Sequence, residues 1–146
     1  MVLSVLSLLI CGIFFPLLIT GIAQATMPYQ ADGSLAHLPN GRVAGSYLID
    51  NNFTAPVFFQ GRNESNPLNA SASGVDPDIT TVQAEAQVQR ISNWTGVSQN
   101  FLFNLISSNT EGTFWIFGNP YVNVLKLNLL LIQAFPQIYQ KYVAAA

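Results

Sequence analysis

Residues 2–23, "VLSVLSLLICGIFFPLLITGIA", contain no charged side chain. This run constrains the fold more than any other feature, because about 20 apolar residues wound as a helix match the hydrocarbon thickness of a bilayer. A cleaved signal peptide is the competing reading, and "AQA" at 23–25 resembles a small-residue cleavage site. The run lacks a basic n-region, however, and exceeds the ~7–15 apolar residues usual in such peptides, so a retained anchor is preferred. Gly12, Pro16 and Thr20, spaced four apart, mark one helical face, with Ser4, Ser7, Cys11 and Gly21 also small. Small residues let a second helix approach closely in lipid, although any spanning helix carries some of them.

The charge pattern excludes several functions. Charged residues make up only 8% of the chain, with five bases and seven acids scattered singly. With no basic stripe, nucleic acid is not an expected partner. Cys11, the single cysteine, cannot form an intramolecular disulfide, and the single histidine, His37, reads as a solvated loop residue rather than a metal ligand. Orientation across a membrane stays open. Arg42 is the first basic side chain after the apolar run, which leans towards a cytoplasmic domain. The sequons at Asn52, Asn63, Asn69 and Asn93 lean outward.

Residues 24–40, with Pro28, Gly33 and Pro39, read as a linker with turns. "RVAGSYLI" (42–49) and "APVFFQG" (55–61) are expected strands, the second bounded by Pro56 and Gly61. Residues 62–78 have the composition of an ordered loop. Thr80 and Gln83 form a capping-box pattern that opens a helix with Ala84, Val88 and Ile91 on one face. Gly96 ends it. Ser98 is positioned to cap a second helix, "QNFLFNLISS", with Phe101, Leu102, Leu105 and Ile106 as its buried stripe. "TFWIF" (113–117) reads as a strand, and "YVNV" as another that leads into a helix. Asn123 is the candidate N-cap of that helix, and Asn128 falls mid-helix, where an amide must find a partner or face water. The apolar stretch Val124–Phe135 is too short to span a bilayer and reads as a core helix closed by Pro136. The tail "PQIYQKYVAAA" reads equally as a further helix or a frayed end. The expected class is α+β: one N-terminal transmembrane helix followed by a small mixed α/β domain, residues 41–146.

Catalytic chemistry is poorly provided for. Asp76 and Asp78 flank Pro77, but no third hard ligand is near, so they read as organising the turn before Thr80. Ser71 and Ser73 lack a G-x-S-x-G frame, and His37 is the only available base. Arg62 and Arg90 are isolated and suited to holding backbone carbonyls or an acid such as Asp76. No Walker A loop and no Asp-Lys-Thr-Gly motif is present, so this chain does not hydrolyse ATP.

Four blocks in order resemble KdpC, the C subunit of the Kdp-type potassium-transporting P-type ATPase. They are "FPLLITGIAQ" with "QADGSL"; "GRVAGSYLIDNNF…FFQGR"; "ASASGVDPDIT…QVQR"; and "NTEGTFWIFGNPYVNVLKLNLLL". The residues that match the family's motifs are Gly45, Ser46, Gly61, Arg62, Ser73, Gly74, Asp76, Thr80, Gln87, Arg90, Gly118, Pro120, Asn123 and Asn128. The resemblance implies a single-span membrane subunit whose domain lies on the extracytoplasmic side. Its implied partners are a channel-like potassium-binding subunit and a P-type ATPase subunit, with membrane lipid around the span. It implies no cofactor bound by this chain, potassium and ATP being handled by the partners, and it admits a modulatory role in ATP use. Two departures stand out. The family has a long segment with a helix and a strand where "SNPLNASASG" runs on directly, and Lys126 stands where the family places an acid after "VNVL". Lys126 near a helix N-terminus costs about 0.3–1 kcal/mol. Outside the family, the alternatives are a secreted enzyme freed after Ala25 and a single-span binding protein unrelated to transport.

Overall fold

The computed structural model describes residues 1–51, 53–62, 71–112 and 118–143, the side chain of Val143 excepted. Two compact units divide the chain, Met1–Leu35 and Ala36–Ala146.

The first unit is dominated by a continuous helix, Val2–Thr26, whose most apolar 18-residue window has a mean hydropathy of 2.7. It comprises α1 (Val2–Leu9), a π-helical turn (Ile10–Phe14) and α2 (Phe15–Thr26). The π-turn has a local cause. Pro16 offers no N–H, and its ring would strike the carbonyl of Gly12 four residues back; one wider turn makes room without breaking the helix. Thr20 Oγ1 donates to the carbonyl of Pro16 at 2.8 Å. The helix continues through residues 24–26, which the sequence assigns to a linker, and a short helix α3 (Pro28–Ala31) follows. Gln24 Nε2 donates to Asp32 Oδ1 at 3.0 Å. A turn with Gly33 in the left-handed region ends the unit.

The second unit mixes short strands and helices, as the sequence predicts, and among the described residues its strands form two two-stranded sheets. β1 (Leu35–His37) pairs with β2 (Val43–Ser46), so His37 is exposed at a strand end and not in a loop. β3 (Asp78–Thr80) pairs antiparallel with β4 (Tyr121–Asn123), placing Ile79 opposite Val122, both buried. The expected strand at 113–117 lies outside the described residues, as do the sequons at Asn52, Asn63 and Asn69. Asn93 is exposed on a helix.

Among the described residues, four helices supply the rest. α4 (Thr81–Thr95) begins in the expected capping box: Thr80 Oγ1 accepts from Gln83 N, and Gln83 Oε1 accepts from Thr80 N. It ends at Gly96 in the left-handed conformation, and Ala84, Val88 and Ile91 are its buried residues. α5 (Gln99–Ser108) buries Leu102 and Ile106. Leu105 is half-buried, and Phe101 is surface-exposed, its ring edge-on to Phe135 with centroids 5.1 Å apart. α6 (Val124–Ala134) is the core helix, with seven buried residues. Phe135 interrupts it, and Pro136 opens α7 (Pro136–Val143), since proline is well tolerated in a first helical turn. Lys126 gains a partner the sequence does not reveal: its Nζ lies 2.7 Å from Glu111 Oε1. Both side chains are substantially solvated, so the pair is worth a few tenths of a kcal/mol, enough to offset part of the helix-dipole penalty.

Candidate functional site

Among the described residues the segment 55–61, expected as a strand, pairs with no strand. It is irregular, yet Val57, Phe58 and Phe59 are buried. Buried backbone polar groups need partners, and here side chains from three helices provide them. Asn128 of α6 is fully buried; its Oδ1 accepts from Phe59 N and its Nδ2 donates to Phe59 O, both at 2.8 Å. Gln87 of α4 repeats the arrangement one residue on. Its Oε1 accepts from Gln60 N at 2.8 Å, and its Nε2 donates to Gln60 O at 3.0 Å. Two primary amides thus take the role of a neighbouring strand.

Arg90, one turn along α4 from Gln87, completes the clamp. Its guanidinium donates to the carbonyls of Pro56 and Phe58, the latter at 3.1 Å, and to Gln87 Oε1 at 2.6 Å. Burial draws the Arg90 pKa below the ordinary arginine value. From α7, Tyr139 OH donates to Val57 O at 3.1 Å, and its ring lies against Phe58 with centroids 5.2 Å apart.

Tyr139 is fully buried, and burial pushes its phenol up to about 12. An unfolded tyrosine loses its proton near pH 10. The folded state therefore holds this proton more tightly, so the contribution to stability is intact below about pH 10 and falls as pH rises towards 12, by about 1.4 kcal/mol per unit. Alkaline titration followed by tyrosinate absorbance should show one phenol ionising late and together with unfolding. Tyr139→Phe should remove that component.

A second polar knot fixes the start of α6. Asn123 is its N-cap: Oδ1 accepts from Lys126 N at 3.1 Å, while Nδ2 donates to Tyr47 O and to Asp78 Oδ1, each at 3.0 Å. Burial raises the Asp78 carboxyl above the usual carboxylate range, against the hydrogen bond from Asn123. Asp76 organises the turn as expected, its Oδ1 accepting from Asp78 N at 3.0 Å. Arg62 bridges the same turn, with Nε donating to Asp78 O at 3.0 Å and Nη2 3.0 Å from Asp76 Oδ2. The pair does structural work. Among the described residues no cluster of His, Cys, Asp or Glu could hold a metal ion.

The remaining motif residues shape turns. Ser46 Oγ accepts from Leu48 N, Ser73 Oγ accepts from Val75 N beside the left-handed Gly74, and Pro120 O accepts from Thr81 N, just after the left-handed Gly118. Close approach and backbone angle together call for glycine at Gly118, where φ is +92° and a Cβ would lie 2.7 Å from the backbone oxygen of Gly112. A Cβ on Gly45 would lie 1.8 Å from Asn51 Oδ1, and one on Gly61 2.8 Å from both carboxylate oxygens of Asp50, which are side-chain ends able to shift. Gly12, Pro16 and Thr20 belong to the exposed helix of the first unit. Sequence reasoning missed Tyr139, Glu111 and the amide pairing by Gln87.

Between β2, the 51–58 segment and the ends of α6 and α7 lies an open groove of about 420 Å³. Phe53, Phe58, Leu129, Ile132 and Tyr142 supply its apolar lining, with Arg42 as its one basic residue. Nothing in this set pairs a nucleophile with a base. The geometry positions backbone and surface; it is not arranged for bond chemistry.

Known proteins place this arrangement. A family model described as K+-transporting ATPase, c chain (KdpC), matches residues 1–70 and 65–133. The potassium-transporting ATPase KdpC subunit of Bacillus cereus strain B4264 is 38% identical over 170 residues, covering 85% of this chain and 88% of the relative. Those of Bacillus thuringiensis subsp. konkukian strain 97-27 and Bacillus anthracis strain A0248 are each 37% identical, over 85% and 84% of this chain and 88% and 87% of the relatives. The 170 aligned positions exceed the roughly 124 residues that 85% of this 146-residue chain represents, so about 46 of them face gaps in this chain. The two matched stretches meet at 65–70, which is where the sequence runs directly from its Asn-Pro loop into "NASASG". With matched stretches covering residues 1–133 and relatives aligned over most of their own length, the chain belongs to the KdpC family, the non-catalytic C chain of the K+-transporting ATPase.

Proposed function

We propose that this chain is an accessory subunit of an ATP-driven potassium uptake complex, held in the membrane by Val2–Thr26 with residues 36–146 on the extracytoplasmic side. Membership of the KdpC family carries the reading. The channel-like potassium-binding subunit and the P-type ATPase subunit are its partners, and potassium and ATP are bound by them. Its role is to stabilise their assembly; any influence on ATP use is exerted through them, since ATP is cytoplasmic. The apolar helix supports the anchor: it is 25 residues long, and none of its most apolar window is buried.

The Gly12, Pro16 and Thr20 face is the proposed contact with partner helices. No heavy atom lies within 4 Å of a Cβ built on Gly12, so leucine fits the isolated helix, and a defect reports on a neighbour. Gly12→Leu should lower the amount of ATPase chain recovered with this subunit from detergent-solubilised membranes. Unchanged recovery and potassium uptake would remove this face from the interface.

Orientation has its own test. Ser107 is exposed on α5, and Cys11 is the single native cysteine. In a Cys11→Ser, Ser107→Cys chain, a membrane-impermeant maleimide should label intact cells. Labelling only after lysis would place the domain inside.

A further inference from the structure

We infer that the open groove beside Phe58 binds a single-chain amphiphile with a carboxylate head, a long-chain fatty-acid anion; this does not depend on the chain's place in a transport complex. The groove is built in advance. Phe58 is part of its wall, and the clamp behind that residue holds it: Arg90 donates to Phe58 O at 3.1 Å, and Asn128 engages both Phe59 N and Phe59 O. Phe53 and Tyr142 also line the groove, and their rings pack on Phe58 with centroids 5.2 and 6.0 Å away. Leu129 and Ile132 of α6 extend the apolar surface. Apolar walls with a few polar groups to orient the occupant are the usual make-up of a ligand site.

Charge selects the occupant's head. Arg42 is the one charged residue in the described lining, which contains no acid. The chain's other four basic side chains all have partners. Arg62 holds Asp76, Arg90 holds the carbonyls of Pro56 and Phe58, Lys126 pairs with Glu111, and Lys141 Nζ lies 4.9 Å from the centre of the Tyr142 ring. Among the described residues the Arg42 guanidinium alone has neither a hydrogen bond nor an ion pair, although its backbone is fixed in the β1–β2 turn: its O accepts from Leu38 N at 2.8 Å, and its N donates to Asn40 Oδ1 at 3.0 Å. A guanidinium presents a planar fork that matches a carboxylate, and here it stands on a hydrocarbon-lined surface. Size selects the tail. At roughly 30 Å³ per water-sized unit, about 420 Å³ admits one chain of about a dozen carbons, so a two-chain phospholipid would overfill it.

Photolabelling of the full-length chain in phosphatidylcholine nanodiscs tests this, with dodecanoate carrying a diazirine on its tail as the probe and peptide mass spectrometry as the readout. Labelling of Val2–Thr26 reports partition into the bilayer and serves as the internal reference. Relative to it, Phe53, Phe58, Leu129 and Ile132 should be labelled about ten-fold more strongly by the carboxylate than by the matching dodecanol probe. Arg42→Gln should lower groove labelling by about ten-fold and leave helix labelling unchanged. Arg42→Glu should turn the preference towards a dodecylamine probe. Arg42 is exposed, so both variants should keep the amide of Phe59 protected from exchange, which shows that the groove wall is intact. Labelling confined to the apolar helix would overturn the inference. So would a dodecanol probe that labels the groove as strongly as dodecanoate, or an Arg42→Gln chain labelled like wild type. Loss of groove labelling in chain recovered with an ATPase partner, together with weaker partner recovery for Arg42→Gln, would assign the groove to a protein and also contradict it.

Discussion

Asn128→Ala should destabilise the Ala36–Ala146 unit by about 2–5 kcal/mol, a large share of the ~5–15 kcal/mol that holds a domain together. The reason lies in what is left behind. Phe59 is fully buried, and Asn128 satisfies both its N–H and its carbonyl. Stripping away the amide leaves two buried polar groups without the side chain that satisfies them, at about 1–3 kcal/mol each. Asn128→Asp separates hydrogen bonding from shape. It keeps an acceptor for Phe59 N, but turns an oxygen towards Phe59 O and asks a carboxylate to sit in the core, so it should be no better than alanine. Thermal unfolding of the purified full-length chain measures the loss, expected as a fall of roughly 10 °C or more. Fast amide exchange at Phe59 would locate it. A melting point within a few degrees of wild type would mean that the 55–61 segment does not depend on this amide.

Arg90→Met should cost about 2–4 kcal/mol, and Arg90→Lys nearly as much. The guanidinium serves two carbonyls and the Gln87 amide oxygen at once. An ammonium is a point donor on a flexible stem and cannot hold that planar fork. Methionine keeps the aliphatic bulk, so its penalty reads the polar contacts rather than a cavity. Because Gln87 and Arg90 act on carbonyls of one short segment and on each other, the Gln87→Ala, Arg90→Met double variant should lose less than the sum of the singles, by about 0.5–3 kcal/mol. Strict additivity in denaturant melts would show that the two side chains work independently.

The two helix starts were legible because their signals are local. Thr80 with Gln83 and Asn123 with Lys126 N are three residues apart, and each cap forms as the sequence implies. The α4 stripe of Ala84, Val88 and Ile91 follows from helical periodicity alone. The 55–61 segment was misread for a physical reason. A short apolar run between Pro56 and Gly61 has the composition of a buried strand, and composition cannot say whether its backbone pairs with another strand or with side chains. The side chains that clamp it lie between 27 and 82 residues away. Gln87 looked unremarkable for the same reason: lying off the apolar stripe, it suggests an outward-facing side chain, yet it turns towards a segment no periodicity reveals. Asn128 was the visible clue, an amide in an otherwise apolar helix that demanded a partner without naming it. α7 was unreadable because one buried tyrosine among lysine, glutamines and exposed positions leaves too weak a pattern. Within the candidate site, Arg62 and Asp76 do pair as the sequence suggests, and the groove had no sequence signature at all.

Partner capture from native membranes weighs the proposed role most directly. The intact, C-terminally tagged chain, extracted in mild detergent and identified by mass spectrometry, should bring with it a P-type ATPase chain and a channel-like potassium-binding chain in constant ratio. Its own N-terminal peptide should still contain the apolar helix. Recovery of the chain alone, or as a soluble form beginning at Thr26, would contradict that role.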